Sequence, residues 1–563
     1  MNFHIFTFAI LMDLCMSKEF SALDDVLLLP RNMFSLSEML TLNSGSYVSF
    51  GTQIMDSVVH IKGSDATKLR PNDISELQSL FAVENASLSL SELSVMCTKK
   101  CRFVNIDKFS DISITSCTLT NADSMDFFIL NDGGSLFLNN FTIIQAPNTR
   151  ITAIMKSNSI SSSLKLFQSS MTSLSLTGLS PLIGNINTSF VEVKDSYFEN
   201  ITTFDCLEHI NSNNEFSLNI KFSSCTLQNN VNDFYGGVAL GMVGGTDFKG
   251  TNLTIVKSKS TYREQQNSTG NQTYEDSEFV ECTTRLNGGA LAKIDYGSLN
   301  VTNCEFKKCE ARGVTSQGGA IYIGTSVPLA SLYTKDCKFI KCHAKKCGGA
   351  ISATGILVAT NPVVKSCTSV EGGGMYIHPS EVNVVPEGTL RGIDGGEITH
   401  CTATEDGGGL WIGLLTTFIR PKFNVSDVYI ASCKAVGGMG GGVFLAETTS
   451  GLPLLFSDFY FVRCIFGENK AEYGGNDIFA EEGWKDALTE SSFVESYSDS
   501  STPKVQIESQ GEFNDWLKKV PYLRWEYVVV VVVCIVVVIL VVVLIIVLCC
   551  CRKKLKKCCC CCK

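Results

Sequence analysis

"NCEFKKCEARGVTSQGGAIYIG", Asn303 to Gly324, is answered about thirty residues later by "DCKFIKCHAKKCGGAISATG", Asp336 to Gly355. Each stretch runs from a cysteine to a phenylalanine two residues on, then to a second cysteine and a Gly-Gly-Ala-Ile. The beat extends well beyond these two. Glycine pairs begin at Gly236, Gly288, Gly318, Gly348, Gly373, Gly408, Gly441 and Gly474, at intervals of 52, 30, 30, 25, 35, 33 and 33. A cysteine precedes each pair, namely Cys225, Cys282, Cys309, Cys342, Cys367, Cys401, Cys433 and Cys464. A short apolar run follows most of them, such as "AIYI", "GMYI" and "GLWI". The intervening segments are short, β-branched or aromatic, and bounded by Gly, Asn, Asp and Ser, which is how strands and turns read. Upstream the glycine pairs fade but the texture persists. "ENASLSLSELSV" (Glu84 to Val95) alternates serine and leucine, placing one face in a core and the other in solvent.

A fixed beat of strands without helices leaves a parallel β-helix or a propeller. Intervals of 25 to 35 residues hold two or three short strands, one solenoid coil, and are too short for a four-stranded blade. The expected class is therefore all-β: a right-handed parallel β-helix solenoid with one C-terminal transmembrane helix. Roughly 15 to 20 coils at 4.8 Å spacing would make a rod about 70–100 Å long. Gly-Gly is expected to turn a corner at positive φ or to admit a close backbone approach. Phe306 and Phe339 should stack, Cys304 should lie over Cys337, and Cys309 over Cys342. "AIYI" and "ALAKI" alternate in different phase, which predicts a register offset of one between them.

These residues resemble the repeats of polymorphic outer-membrane-protein-type surface proteins, which pair GGA-[ILV] with F-x-x-[NC]. Here the match is "GGAL" at Gly288, "GGAI" at Gly318 and Gly348, "FKKC" at Phe306 and "FIKC" at Phe339. That family is similar to the pectin-lyase-like right-handed β-helix proteins. The resemblance implies a surface adhesin or antigen, and related arrays occur on protist surfaces with a single membrane span. The bacterial family anchors itself with a β-barrel, whereas this chain ends in an apolar helical stretch.

That stretch, Val528 to Leu548, has 21 residues without a charge. As a helix it measures about 31 Å, matching a hydrocarbon core. Trp525 and Tyr527 flank one mouth, and Arg552 to Lys557 flank the other and mark it as cytoplasmic. Residues 1–17 carry a short apolar run suited to a signal peptide, with an ordinary buried strand as the alternative. The expected organisation is a signal peptide (1–17), a β-helix ectodomain (18–484), a stalk and juxtamembrane segment (485–527), the membrane helix (528–548) and a cytoplasmic tail (549–563). The chain is thus expected at the plasma membrane with its ectodomain outside. The net charge is −10, and the last twelve residues hold six of the 46 basic groups, leaving 40 basic and 56 acidic residues before them, a net −16. Such an ectodomain would repel phosphates, so no nucleic-acid partner is expected.

Fifteen cysteines lie between Cys97 and Cys464. In a secreted protein they read as disulfides or as a ladder of buried free thiols, with Cys304, Cys309, Cys337 and Cys342 the candidates for either. Recurrence once per coil argues against a zinc site. Cys549, Cys550 and Cys551 abut a basic juxtamembrane run, the setting of S-acylation. N-x-[ST] sequons stand at Asn85, Asn140, Asn187, Asn200, Asn252, Asn267, Asn271, Asn300 and Asn424. "GGMGGGVF" (Gly437 to Phe444) opens a strand and so does not fit a dinucleotide loop. Glycosidic cleavage needs two carboxylates across one groove. The acidic pairs available, Asp394 with Glu397 and Glu405 with Asp406, read as turn residues. No catalytic, cofactor-binding or metal-binding residues are therefore expected. The reading is a non-enzymatic adhesin or surface-recognition protein meeting a glycan or protein surface. A carbohydrate-active lyase- or hydrolase-like enzyme and a passive coat antigen are the alternatives.

Overall fold

A computed structural model describes residues between 27 and 512 in segments, most continuously over 270–294, 297–324, 330–378, 390–413, 422–446 and 458–481. Residues 1–17, 528–548 and 549–563 lie outside the described residues. Among those described, no helix is long and apolar enough to cross a membrane.

The chain is a parallel β-helix. One coil shows the plan. Gly297–Thr302 forms a strand on the first face, and a corner at Asn303 and Cys304 leads to Glu305–Lys307 on the second face. A second corner at Lys308 and Cys309 leads to the two-residue strand Glu310–Ala311. The chain then turns through Gly318 and Gly319 into Ile321–Gly324 on the third face, and Ala330–Lys335 opens the next coil. The first face stacks 17 strands, the second 18 and the short face 10. The third face is built from 8 strands in the N-terminal half and 9 in the C-terminal half. The pairings are parallel throughout, except for the hairpin of Val505–Ile507 with Gly511–Glu512. Seventeen stacked strands make a column roughly 80 Å long.

Alternation drives the packing. Leu299 and Val301 point inward and are fully buried, while Ser298 and Asn300 face out. Vertical neighbours repeat in kind. The rings of Phe279, Phe306 and Phe339 stack at 4.7 and 4.9 Å with planes within 6° of parallel. Val364, Ile398, Ile430 and Phe466 continue that column.

Both expected uses of glycine occur, divided between the two members of a pair. Gly318 has φ +68°, and Gly319 lies where a Cβ would come under 3.0 Å from the Gly349 carbonyl oxygen of the next coil. The register refines the repeat. Amide bonds from each glycine to the coil above align Gly288, Gly318, Gly348, Gly372, Gly407, Gly440 and Gly475. Gly373, Gly408 and Gly441 are thus second members of their turns, and Gly474 sits one place ahead of the column. Gly236 lies outside the described residues.

Two expectations need correction. "ALAKI" and "AIYI" are in one register, with Leu291 against Ile321 and Lys293 against Ile323. The apparent phase change arises because Lys293 occupies an inward position, 1% exposed, with Nζ donating to the Gly270 carbonyl at 2.6 Å. Next, the solenoid does not stop at 484. Phe493–Val494, Tyr497–Ser498 and Val505–Ile507 add strands to the first, second and third faces. The serine-rich composition there reads as a stalk, yet Ser496 fills a buried corner as cysteine does elsewhere. The cysteines before the glycine pairs fall in two columns. Cys225 and Cys464 belong to the first corner, the other six to the second.

Candidate functional site

Each corner has a fixed chemistry. Every described non-glycine residue with positive φ falls at a corner, just before a buried residue. First-corner examples are Asn140, Asn252, Asn303 and Asp336, and second-corner examples are Asn200, Lys257, Glu281, Lys308 and Lys341. Asparagine and aspartate suit this conformation because their short polar side chains bond locally.

The next residue turns inward, and in the second corner its Cys and Asn side chains each donate to a carbonyl of the coil below. In the second corner this column runs Asn230, Ser258, Cys282, Cys309, Cys342, Cys367, Cys401, Cys433 and Asn469. The Cys309 thiol donates to the Phe279 carbonyl at 3.4 Å and Cys342 to Phe306 at 3.5 Å. Asn230 and Asn469 donate from Nδ2 to Phe198 and Ile430 in the same way. In the first corner Cys304 lies beneath Cys337, donating to Tyr274, and Cys337 donates to Val301. All twelve described cysteines are free and buried. Burial raises the Cys337 thiol to about 11 and Cys304 to about 12, and lifts Cys309 and Cys342 well above the usual range. Cys401, flanked by Cys367 and Cys433, is shifted the other way: burial raises it, and the hydrogen bonds of both neighbouring thiols together outweigh that burial. Where burial raises the thiol in this way the proton stays on sulfur, and such thiols are poor nucleophiles.

The sequons acquire a structural origin. Asn85, Asn140, Asn200 and Asn252 are corner residues, exposed and at positive φ, and the Ser or Thr two positions on starts the next strand. The motif is therefore partly a by-product of coil geometry. Nδ2 of Asn85, Asn140 and Asn252 donates to the corner side chain of the preceding coil, at Asp56, Ser116 and Ser224. Asn271 is exposed on the first face and accepts from Ser298. Asn300 and Asn424 are half-buried there, and Asn424 Oδ1 has no hydrogen-bond partner among the described residues. Asn187 and Asn267 lie outside the described residues, as do Cys549, Cys550 and Cys551.

The acidic pairs are not brought across one groove. Asp394 ends a first-face strand and accepts from Ser426, while Glu397 begins the second-face strand beyond the Gly395-Gly396 corner. Asp406 is half-buried, and its Oδ1 accepts the Met439 amide at 2.8 Å. Burial raises its carboxyl, opposed by that bond and reinforced by Glu405. A thiol–carboxylate contact, Cys347 to Glu371 at 3.2 Å, stands beside the glycine turns. Burial and the Glu371 charge raise the Cys347 thiol, so it too stays protonated. Among the described residues, no group of three or more His, Cys, Asp or Glu is placed to hold a metal ion.

One outward feature does form a cleft, with a volume of about 400 Å³, across the second corner and the short face. Val231 and Thr283 form its floor, and the longer Lys257, Lys259, Lys308 and Arg312 rise around it with Glu281 and Glu310. Strand register stacks Lys259, Thr283, Glu310 and His343 in one column. Lys308 pairs with Glu281 at 3.0 Å and Arg312 with Glu310 at 2.7 Å. The hydrogen bond and charge of Lys308 hold the Glu281 carboxyl low. Sequence reading missed this cleft because its residues are dispersed from 229 to 312. Aligning coils on their corners would have shown it, since Lys257, Glu281 and Lys308 each stand just before the inward residue of the second corner.

No protein-family model, curated protein or solved structure matches the chain.

Proposed function

We propose that this chain is a membrane-anchored cell-surface recognition protein that works without catalysis. Its β-helix, in the right-handed sense that parallel crossovers favour, presents its outer faces to a glycan or protein surface. The observation that carries the reading is the unbroken stacking of coils, 17 strands deep on the first face and 18 on the second. Such a column offers the same outward position once every 4.8 Å or so, a geometry suited to repetitive partners. The apolar run Val528 to Leu548 and the basic residues after it would hold the column outside the plasma membrane, with Cys549, Cys550 and Cys551 acylated beneath it. The corner sequons would carry glycans in that setting. The resemblance to surface adhesins of the pectin-lyase-like class points the same way.

The test is to display the full-length chain on a heterologous cell and measure adhesion to cells and to glycan arrays. Saturable adhesion without substrate turnover is expected. Absence of any adhesion would leave a passive coat. Release of products from acidic polysaccharides, lost on Asp394→Asn or Glu397→Gln, would replace the proposal with an enzymatic one.

A further inference from the structure

Four successive coils concentrate positive charge on one side of an otherwise acidic molecule. The second-corner column reads Lys257, Glu281, Lys308 and Lys341, by the amide bonds that each makes to the coil above. Beyond the short strand, Arg285, Arg312 and Lys345 stack in the same way, Arg312 donating its amide to Thr284 and Lys345 to Ala311. With Lys259 this gives seven cations against Glu281 and Glu310. The patch carries a net +5, while the chain before its basic tail carries −16.

The carboxylates are already engaged, by Lys308 and Arg312. Lys257, Lys259, Arg285, Lys341 and Lys345 are all exposed, and none has a carboxylate within 4.0 Å among the described residues. Lys257 and Lys259 line the cleft on its second coil, Arg285 stands on its third, and Lys341 and Lys345 stand on the coil after its last. Over four coils the patch extends roughly 14 Å along the column.

We propose that this stripe binds a linear anionic polysaccharide, bearing sulfate or uronate groups, laid along the column axis. The inference rests on the recognition reading above and names its ligand class. Cations repeated on a rigid ladder match anions repeated along a chain, and a lysine or arginine serves as donor to either anion. The floor residues Val231 and Thr283, with Asn229 beside them, offer small apolar and hydroxyl or amide contacts of the kind a sugar ring uses. Among the described residues, no aromatic side chain lines the cleft to stack a nucleobase.

The experiment uses the full-length chain in detergent, immobilised, with heparin and polygalacturonate as sulfated and carboxylated probes and dextran as neutral control. Binding to at least one anionic probe, weakening steeply with salt, is expected. Joint replacement of Lys257, Lys259, Arg285, Lys341 and Lys345 by Gln should weaken it by about tenfold or more, from five exposed charge contacts. Replacing Lys62, Lys165, Lys194, Lys221 and Lys249 of the first face by Gln should change it less than about twofold, being five charges of equal number elsewhere. These are all surface changes, and matched unfolding midpoints would show that both variants fold. Equal weakening by the two variants would overturn the stripe. Tighter binding of single-stranded DNA or of anionic phosphatidylserine vesicles than of either polysaccharide would overturn the ligand class. If the stripe variant still adheres to cells as the parent does, this proposal fails while the recognition reading stands. If the parent adheres to nothing, both fail.

Discussion

At the residue scale, the cysteine columns act through hydrogen bonds. Each thiol fills a position that asparagine or serine fills elsewhere, donating to a carbonyl turned into the corner. Cys342→Ala would strip the donor from the Phe306 carbonyl and is expected to cost about 1–3 kcal/mol. Cys342→Ser should cost less than the alanine, since Ser258 occupies the same column. Chemical-denaturant midpoints of the two variants check the order. Thiol labelling at pH 8 should spare Cys309 and Cys342 until the chain unfolds, because burial keeps both protonated. Finding them as a disulfide by mass spectrometry would refute this account. His343 makes a pH-dependent contribution. Burial lowers its pKa, opposed by Glu310 and helped by Lys345, and Nδ1 bonds Thr368 at 2.8 Å. The unfolded chain then binds more protons than the folded one just below about pH 6.5. The stability is complete above that value and is lost as pH falls through the folded pKa. His343→Gln should flatten the fall in melting temperature between pH 7.5 and 5.5, and an unchanged slope would exclude this role.

At the element scale, the glycine turn admits the tightest contact between coils. In Gly318-Gly319 the first residue supplies the positive φ and the second the space. A methyl group on Gly319 meets the Gly349 carbonyl and the His343 backbone, neither of which can swing away as a side chain can. Gly319→Ala is expected to destabilise by more than about 3 kcal/mol, at the high end for single substitutions. A thermal shift no larger than that of a surface alanine substitution would show that the coils slide apart easily. The glycine pairs were legible in the sequence, but which member carries the φ was not. In the triplets beginning at Gly372, Gly407 and Gly440 the sequence offers two equivalent pairs, and only the amide register to the next coil distinguishes them.

At the scale of the whole molecule, the column must be closed at its end. The Trp484 indole is fully buried, packs edge-on against Phe459 and donates to the Ala446 carbonyl at 2.8 Å. The strands after it then cover the last complete coil, and the antiparallel hairpin at 505–512 ends the third face. Removing everything after 484 would leave three parallel edges open, which invites pairing with another chain. Compared with a chain ending at 520, one ending at 484 should aggregate in size-exclusion chromatography and melt at a lower temperature. Equal behaviour would return residues 485–512 to the status of a linker.

The amino-acid order determined the coil by itself. A thirty-residue beat, two-residue alternation and phenylalanines at matching offsets admit few structures other than stacked parallel strands, because each coil must satisfy its backbone and bury its inner face on a copy of itself. It did not determine what the beat leaves ambiguous. An inward lysine at 293 looked like a slipped register, and a serine-rich end looked like a stalk. The sequons looked independent of the fold, although four of them stand at corners. Charge at positions 257, 285, 308 and 341 looked scattered because the distance between coils is short in space and long in sequence. Only the tertiary register, set by amide bonds from one coil to the next, turns those separate residues into a stripe.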